Sequence, residues 1–245
     1  METTTKGGLV GICAGAIVAC GREQGHFRGL LSKEECQGRV QVLESTHFDT
    51  ADLIGHVQIG MDDDSNITSQ LPPDRVRDAL QAIGGQRALP YYNGPLFVVK
   101  DSVVTESTSR TPTKPATSRV HVWAQYESDL FSEMRKTMEE NHESTVHHKS
   151  QGQSGKHWQC SVCNKFCKKT SKACCGVKRR EHLMQQRAVE KLNGCMLGSA
   201  AVVALENDEF RARTVLFGPH PELSNQANVQ KLLVEALRWC CRVVD

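Results

Sequence analysis

The chain has 245 residues, 39% of them hydrophobic, enough for one large domain or two small ones with a packed core. A formal net charge of +2 offers no electrostatic reason for a nucleic-acid or membrane-surface partner. The start lacks a basic segment leading into a long apolar run, and no stretch is long and apolar enough to span a bilayer. The reading is a chain with no secretory signal and no membrane partner, placed in the cytoplasm. Eleven cysteines are many for such a chain, yet a disulfide framework is not expected there. Five of them crowd between Cys160 and Cys175, which points to a metal site or an unusual insertion rather than general stapling.

In chain order, "GLVGI" (Gly8–Ile12) reads as a short buried strand. A sharp turn follows, then a helix from Ala14 to Cys20, small enough in side chain to pack closely on a sheet. Gly38 to Ser45 alternates apolar and polar residues and reads as a strand, and Leu53 to Met61 as another. "PPDRVRDALQAIGG" reads as a helix. Val76, Ala79, Leu80 and Ile83 share one face, and Gly84 or Gly85 ends it. Tyr91, Tyr92, Asn93 and Gly94 form a turn leading into a strand. Ser102 to Ser118, rich in Ser, Thr and Pro, reads as an exposed linker, and Val120 to Tyr126 as a strand.

Residues 127–196 break the pattern. They are polar, rich in His, Lys and Cys, and expected to be mostly irregular, inserted between two strands of one sheet. "GSAAVVALEND" and "RARTVLFGPHPE" then read as neighbouring strands. The last helix starts near Asn228, with Val229, Leu232, Leu233, Ala236, Leu237 and Cys240 as its apolar stripe. The expected organisation is an α/β domain made of residues 1–126 and 197–245, carrying 127–196 as an insertion.

Cys13 stands where the first strand turns into the first helix, flanked by Gly11 and Gly15. Such a turn lifts its side chain to the carboxyl edge of the strands, where α/β folds place their sites. Small neighbours suit the tight backbone. The helix start favours an anion, so a thiolate is the expected form, and the Ala14 amide faces a developing oxyanion. A small cysteine buried in a Gly/Ala-rich packing contact is the structural counterpart of this reading. Late in the chain, "FGPHPELS" sets His220 and Glu222 two residues apart after an apolar strand. In an extended chain the two share a side. Glu222 would then orient His220, and His220 would serve as base to Cys13. Tyr91, Tyr92, Asn93 and Gly94 are candidates to line the same pocket, beyond their role as a turn.

Gly-x-Cys-x-Gly early and His-Pro-Glu late resemble the class I glutamine amidotransferase-like family. The resemblance is strongest to the domain of that kind at the N-terminus of eukaryotic biotin–protein ligases. "GLVGICAGAIVAC", "YYNGPLF" and "TVLFGPHPELS" carry it, in that order. It implies a flavodoxin-like sheet and a Cys13, His220 and Glu222 triad acting on a small amide, with no cofactor for the α/β domain. The run Ala14, Gly15, Ala16, Ile17 departs from the Leu-Gly-x-Gln of glutamine-hydrolysing members. Only twelve residues precede Cys13, which by the resemblance implies a sheet incomplete at the N-terminus, with an exposed apolar edge. No biotin-adenylate loop of the Gly-Arg-Gly-Arg kind is present, so biotin ligation by this chain alone is not expected. A non-catalytic regulatory domain with a protein partner is the second reading of the same resemblance.

Within 127–196, Cys160 and Cys163 have the C-x-x-C spacing that lets two thiolates reach one Zn²⁺. Cys174 or Cys175 with His182, or Cys167 with one of them, would complete the set, making a zinc-binding module the third reading. A lysine-rich insertion that happens to carry thiols fits the same composition. Lys165, Lys168, Lys169, Lys172, Lys178, Arg179 and Arg180 read as a solvated basic face, with nuclear import as the other use of such a run. With only Trp158 and Phe166 to stack on bases, a nucleic-acid partner is not expected.

Overall fold

The computed structural model describes residues 8–20, 40–42, 53–61, 72–99, 118–146, 157–159, 166–168, 170–175, 177–207 and 212–242. The expected linker from Ser102 to Ser118 lies outside them except for Ser118, which is the first residue of a strand. The chain divides into two compact units. The first comprises 1–44, 54–128 and 197–245, and the second 45–53 and 129–196.

The first unit is α/β. Its sheet contains β1 (Gly8–Ile12), β2 (Val40–Val42), β4 (Ile59–Gly60), β6 (Phe97–Val99), β7 (Ser118–Tyr126), β12 (Ala200–Asn207) and β13 (Ala212–Phe217). A separate antiparallel pair joins β3 (Ile54–Val57) to β5 (Leu89–Tyr92). The segment read as one strand over Leu53–Met61 is thus two short strands in two different sheets. β12 and β13 pair antiparallel, from Asn207 opposite Ala212 to Val202 opposite Phe217. β7 lies antiparallel along β12, and β6 meets β12 at Ala200. β1 pairs parallel with β13, Ile12 facing Phe217. Among the described residues β1 ends the strand order.

Alternation along β1 and β13 sends side chains to two helical layers. On one face, Leu9 and Leu216 pack with Val203, Leu205, Val120 and Phe97 beneath Ala16 and Ala19 of helix α1 (Ala14–Cys20). The small side chains of α1 let it sit close to the sheet. On the other face lies α5 (Ala227–Cys241). It approaches β1 so closely that a Cβ on Gly8 would stand 2.5 Å from the Cys240 carbonyl oxygen. Arg213 of β13 stacks over Trp239, 4.8 Å from the ring centroid, and bonds to Glu206 at 2.7 Å. In α5, Val229, Leu232, Ala236 and Cys240 are buried as expected, but Leu237 is exposed. Glu235 is buried instead, bonded to Arg238 at 2.9 Å. Helix α2 (Asp74–Ile83) buries Val76, Ala79, Leu80 and Ile83 against α5.

The second unit corrects the expectation of irregular chain. Its described residues include two helices, α3 (Leu130–Val146) and α4 (Arg179–Leu192), packed on each other. Short strands pair antiparallel, β8 (His157–Gln159) with β9 (Phe166–Lys168) and β10 (Ala173–Cys174) with β11 (Val177–Lys178). Asp129 starts α3 by accepting the amides of Phe131 and Ser132, and its second oxygen accepts the Gly194 amide just after α4. The helix propensity of Glu, Lys, Arg and Met, with the pairs Arg135–Glu139 and Lys136–Glu140, sustains α3 without a broad apolar stripe.

Candidate active site

The site follows from one parallel strand pair. β1 and β13 run side by side and end together at Ile12 and Phe217. Cys13 leaves the first and Gly218-Pro219-His220 leaves the second, so both side chains emerge at the same carboxyl edge. The turn is tight. Cys13 has φ 50°, a left-handed conformation that non-glycine residues rarely take. Its amide bonds to the Phe217 carbonyl at 2.9 Å, and its own carbonyl accepts the amides of Ala16 (3.0 Å) and Ile17 (3.1 Å). The backbone is thereby fixed on both sides of the thiol. Gly11 is tightly packed, because a Cβ there would stand 3.0 Å from the Ala16 Cα. Gly15 is not, since a Cβ there would meet nothing within 4 Å. The expected symmetry of the two glycines therefore reduces to a packing demand at Gly11 alone.

His220 and Glu222 do not sit in an extended chain. Pro221–Leu223 makes a turn of 3₁₀ helix, and this turn brings the Glu222 carboxylate onto the imidazole, Nδ1 to Oε1 at 2.6 Å. That distance is characteristic of a charge-assisted hydrogen bond. The opposite edge of the ring, Nε2, stands 3.4 Å from the Tyr92 carbonyl oxygen. The same oxygen is the meeting point with Cys13. The Cys13 thiol donates to the same Tyr92 carbonyl, Sγ to O at 3.4 Å. One backbone oxygen therefore touches both members of the pair. The His220 amide bonds to the Pro90 carbonyl at 2.8 Å, so β5 holds the loop after β13 as well.

The four residues of the Tyr-Tyr-Asn-Gly turn have separate roles. Tyr91 is fully buried and lines no surface. Its hydroxyl donates to the Gly94 carbonyl at 2.5 Å, its ring meets Tyr126 edge-on at 6.2 Å, and burial pushes its pKa far up. Tyr92 is 43% exposed, its ring edge-on to His220 at 6.4 Å between centroids. Asn93 takes φ 49° and reverses the chain. Gly94 packs on Gly218 with no room for a side chain.

The His220 pKa rises from 6.5 to about 9. The Cys13 side chain beside it is the largest cause. Burial opposes it, and the Glu222 hydrogen bond and the charges of both partners add to the rise. The shift favours the imidazolium at neutral pH. Between pH 6.5 and about 9 the folded protein keeps a proton that the unfolded chain releases, so stability from this group falls across that window. Thermal melts are expected to show wild type more stable than His220→Gln below pH 6.5, with the gap narrowing as pH rises through about 9.

Cys160 and Cys163 lie outside the described residues, as do their candidate roles as zinc ligands. Cys174 ends β10 and its sulfur lies 3.9 Å from that of Cys175. His182 lies in α4. Among the described residues no group of three or more His, Cys, Asp or Glu side chains could hold a metal ion. None of their helices is long and apolar enough to cross a membrane. The contacts of the Tyr92 and Pro90 carbonyls had no signal in the sequence, since any residue type supplies that atom.

No family model, curated protein or solved structure matches this chain.

Proposed function

We propose that the first unit is a cysteine-dependent acyl-transfer domain of the class I glutamine amidotransferase-like kind, hydrolysing an amide. Its sheet is then a divergent flavodoxin-like one and residues 127–196 are its insertion. The register that ends β1 and β13 together, setting Cys13 and a His220 already bonded to Glu222 on the same Tyr92 carbonyl, is the observation that carries this reading.

The chemistry assigns one role to each side chain. The Cys13 sulfur is the nucleophile, and His220 is the base that takes its proton. The Cys13 sulfur forms a bond to the amide carbonyl carbon, and the carbonyl electron pair moves onto oxygen. Ala14 and Gly15 are exposed, and among the described residues neither amide is engaged by another backbone group. They are the donors nearest in sequence to the developing oxyanion. When the carbon–nitrogen bond breaks, the proton on His220 passes to the leaving amine. Water then attacks the thioester, His220 takes its proton, and the acid leaves Cys13 free. Glu222 holds Nδ1 throughout and keeps Nε2 toward the sulfur.

A chromogenic ester isolates the first half of this sequence. With p-nitrophenyl acetate, the protein is expected to release about one equivalent of p-nitrophenolate in a rapid burst, and Cys13→Ser none. A burst that persists in Cys13→Ser, or no burst from the wild type, would remove the reading.

A further inference from the structure

We infer that the outer face of the β3–β5 pair is the subsite for the acyl group, and that this group is apolar, an aryl or branched aliphatic chain rather than a charged or carboxamide one. The inference rests on the acyl-transfer reading of Cys13. It comes from the register of a sheet distinct from the one that carries the thiol.

β3 and β5 pair antiparallel with Ile54 opposite Tyr92, Gly55 opposite Tyr91, His56 opposite Pro90 and Val57 opposite Leu89. Side chains alternate across such a pair. Tyr91, Val57 and Leu89 are fully buried and form its inner face. Ile54, His56, Pro90 and Tyr92 therefore form the outer one. Directly opposite residues stand about 5 Å apart at Cβ, so Ile54 and Tyr92 make one continuous apolar strip. Both are open to solvent, Ile54 at 52% and Tyr92 at 43%.

This strip adjoins the reacting atoms. The Tyr92 carbonyl is 3.4 Å from the Cys13 sulfur, and the Tyr92 ring stands edge-on to the His220 ring. A carbonyl carbon bonded to the sulfur has its own substituent one bond further out, within reach of the strip. A substituent laid along Ile54 and Tyr92 removes apolar surface from water on both sides. His56 shares the outer face, and the charges at the Tyr92 end, His220 and Glu222, are already paired at 2.6 Å, so a charged substituent gains no new counter-ion from that pair.

The test compares p-nitrophenyl 3-phenylpropanoate with p-nitrophenyl acetate, following the Cys13-dependent burst. N-acetylcysteine supplies the intrinsic ratio of the two rates. In each case the sulfur–carbon bond forms as the carbon–oxygen bond breaks, and p-nitrophenolate leaves with the electron pair. The wild-type rate ratio, phenylpropanoate over acetate, is expected to exceed that of N-acetylcysteine by about ten-fold. Ile54→Ser and Tyr92→Ser should each bring it down toward the free-thiol value. Ile54 is exposed, so its replacement tests the strip even if Tyr92→Ser folds poorly. A Cys13-dependent burst whose ratio equals that of N-acetylcysteine, or a raised ratio that Ile54→Ser leaves unchanged, overturns the subsite while acylation of Cys13 stands. No Cys13-dependent burst from either ester overturns the acyl-transfer reading and the subsite with it.

Discussion

Replacing His220 with glutamine is expected to slow the acylation of Cys13 by p-nitrophenyl acetate about 10²–10⁴-fold at neutral pH. Glutamine keeps polarity and approximate size but carries no titratable proton. The imidazole beside the sulfur and the charge it can carry both go. Glu222→Gln is expected to cost less, on the order of ten-fold, because the imidazole stays and only its charged orienting partner is lost. The two variants also differ spectroscopically. In Glu222→Gln the imidazole titration, followed by NMR, should move down from about 9, since Glu222 contributes a hydrogen bond and a charge to that rise. Equal acylation rates in wild type and His220→Gln would show that the imidazole plays no part in activating the sulfur.

The second large effect is structural. Gly94→Ala would put a Cβ 1.9 Å from the Gly218 carbonyl oxygen and 2.9 Å from its carbon. Gly218→Ala would put one 2.2 Å from the Tyr126 hydroxyl and 2.4 Å from the Pro95 carbonyl oxygen. Most of these are backbone atoms, which cannot swing aside as a side chain would. The Tyr-Tyr-Asn-Gly turn and the loop to His220 interlock through two bare glycines, so separating them displaces His220 from Cys13. Either substitution is expected to cost about 3 kcal/mol, the upper part of the range for overpacking a well-filled interior. At this chain length the melting temperature should fall by roughly 5–10 °C. The burst should be lost with it, even where the variant still folds. A melting temperature within about 2 °C of wild type would show that the turns have room to separate.

The sequence made the thiol legible because its surroundings are local. Gly11, Cys13 and the small residues of α1 are consecutive, and the strand–turn–helix transition needs those residue types in that order. His220 and Glu222 were legible as a pair for the same reason, although a 3₁₀ turn, not an extended strand, brings them together. Their meeting with Cys13 depends on a parallel pairing more than 200 residues apart in sequence, which local periodicity does not encode. The Tyr-Tyr-Asn-Gly segment pointed to the right place but not to the right atoms. Tyr91 supports the site from the core, and the atom of Tyr92 that touches Cys13 and His220 is a backbone carbonyl. Helices α3 and α4 escaped notice because their sequences are mostly polar. Short-range ion pairs and the two-way cap at Asp129 compensate for a thin apolar face. In α5 the stripe misplaced Leu237, because the Glu235 carboxylate takes a buried place, bonded to an exposed Arg238, and the buried face turns by half a step.

The most direct test of the central claim, that His220 activates Cys13, is the alkylation rate of each cysteine by iodoacetamide at neutral pH, read by peptide mapping. Cys195 is exposed and supplies an internal reference within the same molecule. Cys13 should be alkylated at least about ten-fold faster than Cys195, and the advantage should vanish in His220→Gln while the Cys195 rate holds. Equal rates at the two cysteines in the wild type, or a fast Cys13 that ignores the loss of His220, would contradict the account.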